Sequence, residues 1–252
     1  MIRVGQHDED RFDRMRRVPW VDMDGISSSR VLVVGAGALG NEAVKNLVLA
    51  GFRDVTVLDM DHVVASNLSR CVFFRDSDVG GGMKTEIVAA RASELDPSAR
   101  IKPLVGRVQD LEDWDYDVAL GCLDNVAARL HLNSHAYFHG VPYVDGATDG
   151  FRGKVQTVLP GGPCLQCVMN RSHARIAEVR FSCTGNKTGF VPKMAADITT
   201  TAVVAAIQAR EAIKIASGKA EMCIKHVTYY NGENNESFTL EARIGKDCVN
   251  HG

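Results

Sequence analysis

The apolar positions of the chain fall into short continuous runs that alternate with longer amphipathic stretches. Runs with the length and composition of buried strands occur at residues 31–34 and in "DVTVLDMD", "RIKPLVGRV", "YDVALGCLD" and "VPYVDGAT". Helical periodicity lies between them, from residue 40 to about 50, in "GGGMKTEIVAARASELDP" and in "NVAARLHLNSHAYFHG". Strands that alternate with helices predict a parallel sheet whose crossover connections are right-handed.

The pattern changes after Gly153. "KVQTVLP" predicts a strand that need not be parallel, and a long irregular stretch follows it over residues 161–193. A helix is predicted over 195–216, and a hairpin is predicted in "HVTYYNGENNESFTLEARI", turning at Asn231-Gly232. The expected fold class is therefore α/β: a Rossmann-like, mostly parallel sheet with helices on both faces, extended by antiparallel strands at its C-terminal side.

Composition narrows the function classes. Hydrophobic residues make up 45% of the 252 residues, as in ordinary globular proteins. Lys plus Arg number 29 against 31 for Asp plus Glu, and this near balance argues against a general nucleic-acid binder. No apolar run reaches the roughly 18 residues that suggest a membrane span. The polar start "MIRVGQHDEDRFDRMRR" lacks the apolar core of a signal peptide, so we expect a cytoplasmic location.

Three glycines follow the first strand with the spacing G-x-G-x-x-G, and these are Gly35, Gly37 and Gly40. Between a strand and a helix, such a turn directs backbone N–H groups and a helix N-terminus at a phosphate. Asp59 ends the second predicted strand, where a carboxylate accepts hydrogen bonds from ribose hydroxyls. A nicotinamide-dependent dehydrogenase fits these features as well as any other nucleotide-binding enzyme does.

The residues after Asp59 favour a triphosphate. Asn67 and Arg70 lie in the following loop, and Lys84 begins the next helix, which is more positive charge than a pyrophosphate needs. Asp124 follows the fourth strand, at the edge where open parallel sheets bind ligands, and a carboxylate there is a reasonable Mg²⁺ ligand. Each residue alone has an ordinary explanation, as a surface charge or a helix cap, but together they describe ATP with Mg²⁺.

The cysteines predict a metal site. Cys164 and Cys167 form a C-x-x-C pair, and Cys248 and His251 form a C-x-x-H pair near the C-terminus. Two such pairs have the number and spacing of ligands for a tetrahedral structural zinc. A redox C-x-x-C is the rival interpretation, but it leaves the second pair without a role. The remaining thiols in apolar stretches are predicted to be small buried residues, and these are Cys71, Cys122 and Cys223.

Three segments of the chain resemble a known family, and they are "VLVVGAGALGNEAVKNLVLAGFRDVTVLDMDHVVASNLSR", "GMKTEIVAARASELDP" and "CLDNVAAR". They look like the E1-like activating enzymes of the ThiF/MoeB/HesA superfamily, and the likeness runs from about Arg11 to the C-terminus. It implies a homodimer that uses ATP and Mg²⁺ to adenylate the C-terminal glycine of a ubiquitin-like or sulfur-carrier protein ending in Gly-Gly, releasing pyrophosphate. It also implies one adenylation domain over 1–252, with a helical arm (1–29), a nucleotide-binding half (30–153) and a zinc- and carrier-binding half (154–252).

The resemblance assigns roles to residues. Asp59 would hold the ribose, and Asn67, Arg70 and Lys84 the phosphates. The nucleotide-binding set also includes the three glycines and the pair after the fourth strand, Asp124 and Asn125, the first of which would hold Mg²⁺. "RFDRM" resembles the family's N-terminal segment, in which an arginine, here Arg14, reaches the ATP of the neighbouring subunit.

Cys183 lies where family members with a catalytic cysteine carry it, which implies a thioester or persulfide-linked intermediate. Its thiolate would gain from nearby cations, for which Arg180 and Lys187 are candidates. Some relatives adenylate without this cysteine. Three alternatives stay open: a relative that activates a small or tRNA-borne carboxylate, a nicotinamide-dependent oxidoreductase, and a non-enzymatic member that only binds a ubiquitin-like partner.

Overall fold

A computed structural model describes residues 7–169 and 195–251 of the chain. Its centre is one eight-stranded sheet with the strand order β3-β2-β1-β4-β5-β6-β7-β8. The strands are β1 (Arg30–Val34), β2 (Asp54–Asp59), β3 (Arg100–Val105), β4 (Val118–Gly121), β5 (Tyr143–Asp149), β6 (Arg152–Val158), β7 (Val227–Asn231) and β8 (Glu236–Leu240). The helices are α1 (Asp13–Arg16), α2 (Met23–Ser28), α3 (Ala38–Ala50), α4 (Lys84–Leu95), α5 (Val126–Phe138), α6 (Leu165–Val168) and α7 (Ile198–Ala216).

The change of pattern after Gly153 marks a change of strand direction. Strands β1 to β5 pair in parallel, whereas β5 pairs with β6, β6 with β7 and β7 with β8 in antiparallel fashion. The predicted α/β class and its antiparallel extension are confirmed. The hairpin between β7 and β8 turns where predicted, with Asn235 in the left-handed region at φ 56°.

Two hydrophobic clusters cover the two faces of the sheet. On one face, α3 and α7 pack against each other and against the central strands, through side chains such as Val44, Leu47 and Val204. On the other face, Leu132 of α5 packs with Leu32 and Tyr143 of the sheet. Strands such as β1, which is apolar from Val31 to Val34, are therefore buried on both sides, as parallel sheets require.

Several element ends differ from the predicted ones because of local capping. Helix α3 begins at Ala38, two residues before the predicted start, because its first turn grows directly from Gly37. Helix α7 begins at Ile198 instead of residue 195, since the Asp197 side chain accepts a hydrogen bond from the Thr200 backbone N–H. The predicted N-terminal arm contains α1 and α2, which are two short helices. No helix in the described ranges is long and apolar enough to span a membrane.

Candidate nucleotide site and metal cluster

A cleft of about 720 Å³ opens at the carboxyl edge of the parallel strands. This is the edge at which open α/β sheets bind their ligands, because loops diverge there from neighbouring strands. Eight of the nine residues predicted to bind the nucleotide line this cleft, and they are Gly35, Gly37, Asp59, Asn67, Arg70, Lys84, Asp124 and Asn125. The structure thus brings together residues that are up to ninety positions apart in sequence.

The three glycines of the turn have different roles. Gly35 adopts φ +101°, and a Cβ atom there would lie 2.4 Å from the Cys122 carbonyl oxygen. A Cβ atom at Gly40 would lie 1.8 Å from the Gly35 carbonyl oxygen, so Gly40 allows α3 to pack behind the turn and does not line the cleft. A Cβ atom at Gly37 would meet nothing within 4 Å. The fold therefore needs Gly35 and Gly40, whereas Gly37 leaves the backbone open to a ligand.

The carboxylate of Asp59 is fixed at the end of β2 by two backbone donors. Its Oδ2 atom accepts a hydrogen bond of 2.6 Å from the Ala36 N–H of the glycine turn, and its Oδ1 atom accepts one of 2.8 Å from the Asp61 N–H. This ties the strand end to the turn. The oxygens keep lone pairs that can accept hydrogen bonds from ribose hydroxyls.

Lys84 enters the cleft already paired with an acidic residue. Its Nζ atom lies 2.8 Å from Oδ2 of Asp61, and its backbone N–H donates to the Asp61 carbonyl oxygen at 3.0 Å. The lysine side chain is 10% exposed and the aspartate side chain 57% exposed. Sequence analysis missed Asp61, and the only signal for it was the D-x-D spacing with Asp59. The pair holds the ammonium group in the cleft in the absence of a ligand.

A short 3-10 turn, Ala65–Asn67, positions Arg70. The buried Asn67 accepts the Val64 N–H on its side-chain oxygen at 3.0 Å, and its carbonyl oxygen accepts the Arg70 N–H at 3.1 Å. The guanidinium group of Arg70 donates to the Ser66 carbonyl oxygen and leaves its other N–H groups for an anion. Asn67 therefore shapes this loop, and its amide NH₂ group stays available to the cleft.

Asp124 and Asn125 have different roles at the start of α5. Asn125 is the helix cap, since its Oδ1 atom accepts the Ala128 N–H at 2.8 Å. The ordinary explanation of Asp124 as the helix cap is therefore wrong. Asp124 is exposed and makes no hydrogen bond or ion pair with a described residue. A hard, exposed carboxylate beside the glycine turn fits the donor preference of Mg²⁺.

A buried charged network that sequence analysis missed lies beside Asp124. Arg129, one turn into α5, lines the cleft and holds Asp145 of β5 with both ends of its guanidinium group, the Nε–Oδ1 distance being 3.0 Å. The Tyr143 hydroxyl donates to the same carboxylate at 2.7 Å. Burial acts to raise the pKa of Asp145, but the Arg129 charge and hydrogen bonds outweigh it and hold that pKa below its usual value.

The four predicted metal ligands form one cluster below α5, where the C-terminal tail meets α6. The sulfur of Cys164 lies 3.7 Å from that of Cys167 and 3.6 Å from that of Cys248. Nδ1 of His251 lies 3.6 Å from the Cys167 sulfur and 3.3 Å from the Cys248 sulfur. A tetrahedral zinc requires edges of about 3.8 Å between sulfurs and about 3.6 Å between sulfur and nitrogen, so the set fits this ion.

The surroundings of the cluster also suit a metal. Nε2 of His251 lies 2.9 Å from the Gly162 carbonyl oxygen, which leaves Nδ1 free of its proton and turned to the sulfurs. The Asn250 side-chain amide donates to the Cys164 sulfur at 3.4 Å, as expected around thiolates. The other predicted buried thiols are buried too, and these are Cys71, Cys122 and Cys223.

Two predicted residues lie away from the cleft or outside the described residues. The Arg14 side chain is 83% exposed, pairs with Asp8 at 3.1 Å and does not line the cleft of its own chain. Cys183 lies outside the described residues, as do the candidate cations beside it, Arg180 and Lys187.

Comparison with known proteins identifies the family. Residues 12–249 match the ThiF family profile. The chain belongs to the ThiF family. It is 32% identical over 253 residues to the SAMP-activating enzyme E1 of Haloferax volcanii. This alignment covers 95% of this chain and 87% of the relative. It is 39% identical over 158 residues to the catalytic subunit of the NEDD8-activating enzyme E1 of Arabidopsis thaliana, covering 56% of this chain and 34% of the relative.

Solved structures agree on the fold. E. coli MccB in complex with ATP superimposes with a TM-score of 0.73 at 18% identity, over 90% of this chain and 68% of MccB. MccB crystallised with selenomethionine-substituted MccA gives a TM-score of 0.80 over 97% of this chain. The ThiF membership and the E1-like enzyme class predicted from sequence are confirmed, and E1-like adenylyltransferases use ATP and Mg²⁺.

Proposed function

We propose that this ThiF protein uses ATP to adenylate the C-terminal glycine carboxylate of a ubiquitin-like or sulfur-carrier protein. The observation that carries the proposal is one cleft that combines an open glycine turn, the fixed carboxylate of Asp59, cations that include Arg70 and Lys84, and Asp124, which has no partner among the described residues. The relatives named as SAMP-activating and NEDD8-activating enzymes support a small protein as the substrate. The chain spans about a third of the NEDD8-activating relative, so the proposal concerns adenylation and no later step of that pathway.

The cleft residues suit nucleotidyl transfer onto a carboxylate. Asp59 would accept the ribose hydroxyls, the turn at Gly37 would receive phosphate oxygens on its N–H groups, and Lys84 with Arg70 would balance the triphosphate charge. Asp124 would hold Mg²⁺, which screens the charge of the phosphates when it is bound. The carrier's carboxylate oxygen attacks the α-phosphorus, and the bond from this atom to the bridging oxygen breaks, so that pyrophosphate leaves with the electron pair. A carboxylate is already ionised at neutral pH, so no general base is needed.

The metal cluster would hold Zn²⁺ in a structural role. Cys164 and Cys167 lie beside α6, whereas Cys248 and His251 belong to the tail, so an ion bound by all four would join two distant parts of the chain. The cluster lies away from the residues that line the cleft. We therefore assign it to stability and to the shape of the half that follows residue 154, and not to chemistry.

A second step through Cys183 rests on the family resemblance. Its thiolate would attack the carbonyl carbon of the acyl-adenylate, a C–S bond would form, and the C–O bond to AMP would break with AMP as the leaving group. The product is a thioester. In the sulfur-transfer form, a separate donor of sulfane sulfur would first convert Cys183 into a persulfide. The outer sulfur would then attack the same carbonyl carbon, forming an acyl disulfide with AMP as the leaving group. Loss of a reductant-sensitive carrier adduct in Cys183→Ala tests this step, and full transfer activity in that variant contradicts it.

Two further proposals concern the assembly and its location. Arg14 is exposed on the N-terminal arm and does not line its own cleft, which suits the homodimer implied by the resemblance, with Arg14 reaching the ATP of a second copy. The described cysteines are all free thiols, as expected for a protein of the reducing cytoplasm. We also keep the division of the chain that the family resemblance implies, into an arm (1–29) and two halves (30–153 and 154–252).

Exchange of labelled pyrophosphate into ATP tests the adenylation directly. We expect exchange that depends on a Gly-Gly carrier, with SAMP and NEDD8 as the first probes. Lys84→Ala and Asp124→Ala should each reduce the rate about a hundredfold or more, because each removes a group that stabilises transition-state charge. Lys102→Ala, on the far edge strand β3, is the matched control. Exchange supported only by small carboxylates would favour the small-substrate relatives, and no exchange with any carboxylate would refute the proposal.

A further inference from the structure

Lys154 of β6 lies half-buried beside the candidate site and has no role in the mechanism above. It pairs in register with Ala147 of β5, which lines the cleft, and with Tyr229 of β7. Directly opposed residues of antiparallel strands project from the same face, and alternate residues share that face. Lys154 therefore shares its face with Asp145, the buried carboxylate that Arg129 holds.

The charges around this position do not balance. Asp145 is fully buried and has both oxygens in contact with the Arg129 guanidinium group, with the Tyr143 hydroxyl as an additional donor. Lys154 makes no ion pair with a described residue, although it senses the charges of both Asp145 and Arg129. Two cations thus share one carboxylate in a poorly hydrated wall of the cleft.

Burial makes this excess charge costly. It lowers the pKa of Lys154, an effect that Asp145 opposes and Arg129 reinforces. The Tyr229 ring flanks the lysine from β7 and is itself stacked on Phe238 of β8, with ring centroids 5.2 Å apart. Buried charges in proteins are normally paired. Among the described residues the Lys154 ammonium group has no carboxylate of its own, which leaves it available to an anion that enters the cleft.

The location limits which anion this is. The proposed triphosphate cations Arg70 and Lys84 line the cleft on its β2 side, whereas Arg129 lines it on the β5 side. Lys154 lies next to this second side, on β6 opposite the lining residue Ala147. Arg129 donates its backbone N–H to the Asn125 carbonyl oxygen at 3.2 Å, so its side chain is one helical turn from the proposed Mg²⁺ ligand. An anion between Lys154 and Asp124 reaches the nucleotide from the side opposite the phosphate cations, which is where an attacking carboxylate must come from.

We propose that Lys154 receives the C-terminal carboxylate of the carrier polypeptide and positions it beside Arg129 for attack on the α-phosphate. The inference rests on the proposed function, which supplies the carboxylate. Arg129 is fixed by Asp145, so Lys154 is the mobile partner of the pair and contacts the substrate directly. Attack converts the carboxylate into a neutral acyl group, which removes the charge that Lys154 held and releases the lysine for the next substrate.

The test compares two synthetic decapeptides that end in Gly-Gly, one with a free carboxylate and one with a C-terminal amide. Fluorescence anisotropy measures their binding in the presence of Mg²⁺ and a non-hydrolysable ATP analogue. We expect the wild-type chain to bind the acid about 10- to 100-fold more tightly than the amide, the effect of one charge-assisted contact. Lys154→Met should abolish this preference, Lys154→Arg should retain most of it, and Lys102→Met should leave it unchanged.

A stability measurement separates binding from folding. Lys154→Met should keep or raise the melting temperature at pH 7.5, because it removes a desolvated charge, while it raises the carrier KM and leaves the ATP KM unchanged. Equal binding of acid and amide by the wild-type chain, absence of binding of both, or an unchanged preference in Lys154→Met overturns the inference. If pyrophosphate exchange depends on the carrier but the carrier KM is unaltered in Lys154→Met, the role of Lys154 is refuted and the proposed function stands. A preference that depends on Lys154, without exchange by any carrier, refutes the function and leaves a carboxylate site.

Discussion

Replacing Arg129 by methionine tests the network that holds the wall of the cleft. The substitution keeps much of the side-chain volume but removes the one described side chain that contacts both oxygens of Asp145. Asp145 has no exposed surface, and the Arg129 side chain is 13% exposed, so water cannot take the place of the guanidinium group. The carboxylate keeps one hydrogen bond, from the Tyr143 hydroxyl.

The expected loss of stability follows from this burial. Removing one partner of a buried ion pair costs about 3–5 kcal/mol, since it leaves a charge without compensation. Lys154 senses the same carboxylate and offsets part of the loss, so we expect the lower end, about 3 kcal/mol. For a chain of this size the melting temperature should fall by about 6–12 °C. Asp145→Asn should cost less, because the Arg129 left behind borders the open cleft.

Two measurements test the expected effect of Arg129→Met. In Arg129→Met only the weaker influence of Lys154 opposes the burial of Asp145, so the pKa of this carboxyl group rises. Protonation then relieves the cost of the buried charge as the pH falls. The deficit should therefore shrink between pH 7.5 and pH 5, where wild-type Asp145 stays ionised because its folded pKa is lowered. In the double-mutant cycle, Lys154→Met should stabilise the wild type but destabilise Arg129→Met. Urea denaturation followed by tryptophan fluorescence gives both values, and a pH-independent loss below about 1 kcal/mol would refute the account.

Two further predictions concern the glycine turn and the metal cluster. Gly37→Ala should keep the melting temperature but weaken ATP binding about tenfold or more by calorimetry, because its Cβ atom enters open cleft. Gly40→Ala should lower the melting temperature, because its Cβ atom would meet the Gly35 carbonyl oxygen, and a stable Gly40→Ala would contradict this. The purified chain should contain about one zinc by elemental analysis, and Cys164→Ser should lose it together with about 6 °C or more of melting temperature. A full zinc content in that variant would show that the ligand set is wrong.

Sequence patterns predicted the fold well where local signals and burial agree. The apolar run at β1 admits only a strand buried on both faces, and the glycines after it admit only a tight turn into α3. Helix starts were predicted less well, because a start depends on which polar side chain caps it. Asn125 caps α5 and Asp124 does not, a choice between neighbours of similar capping strength that only the path of the backbone decides.

The candidate site was predictable in its nucleotide half and not in the β5 wall. Asp59 and Lys84 stand beside strong local signals, a strand end and a helix start. Asp145 lies within an ordinary strand pattern, and its importance arises from an arginine sixteen residues earlier in the chain. Lys154 looks like the polar half of an alternating strand. The lysine indicates a binding role only because it is half-buried and has no ion-pair partner among the described residues. Neither its burial nor its lack of a partner can be read from the sequence.

The charges that line the cleft indicate that a second copy of the chain contributes to the site. Its lining holds four cationic side chains and three carboxylates, and these are Arg70, Lys84, Arg107, Arg129, Asp59, Asp61 and Asp124. With Lys154 and the carboxylate beside it, Asp145, five cations face four carboxylates, and the excess is one positive charge. ATP with one Mg²⁺ brings about two negative charges, and the carrier's carboxylate adds one more. The described residues of one chain are therefore short of two cations when both substrates are bound.

Arg14 of a second copy would supply one of these cations, and mixed dimers test this. In a symmetric dimer, a chain carrying Arg14→Ala still offers an intact Lys84, and a chain carrying Lys84→Ala still offers an intact Arg14. Each variant alone should be inactive in pyrophosphate exchange, whereas their random mixture should recover about a quarter of wild-type activity, from one complete site in each mixed dimer. Arg16→Ala, two residues further on and paired with Asp10, serves as the matched control. A mixture that stays inactive would place Arg14 in the same site as its own Lys84, and an active Arg14→Ala variant would place it in no site. Either result would remove the electrostatic argument for the dimer.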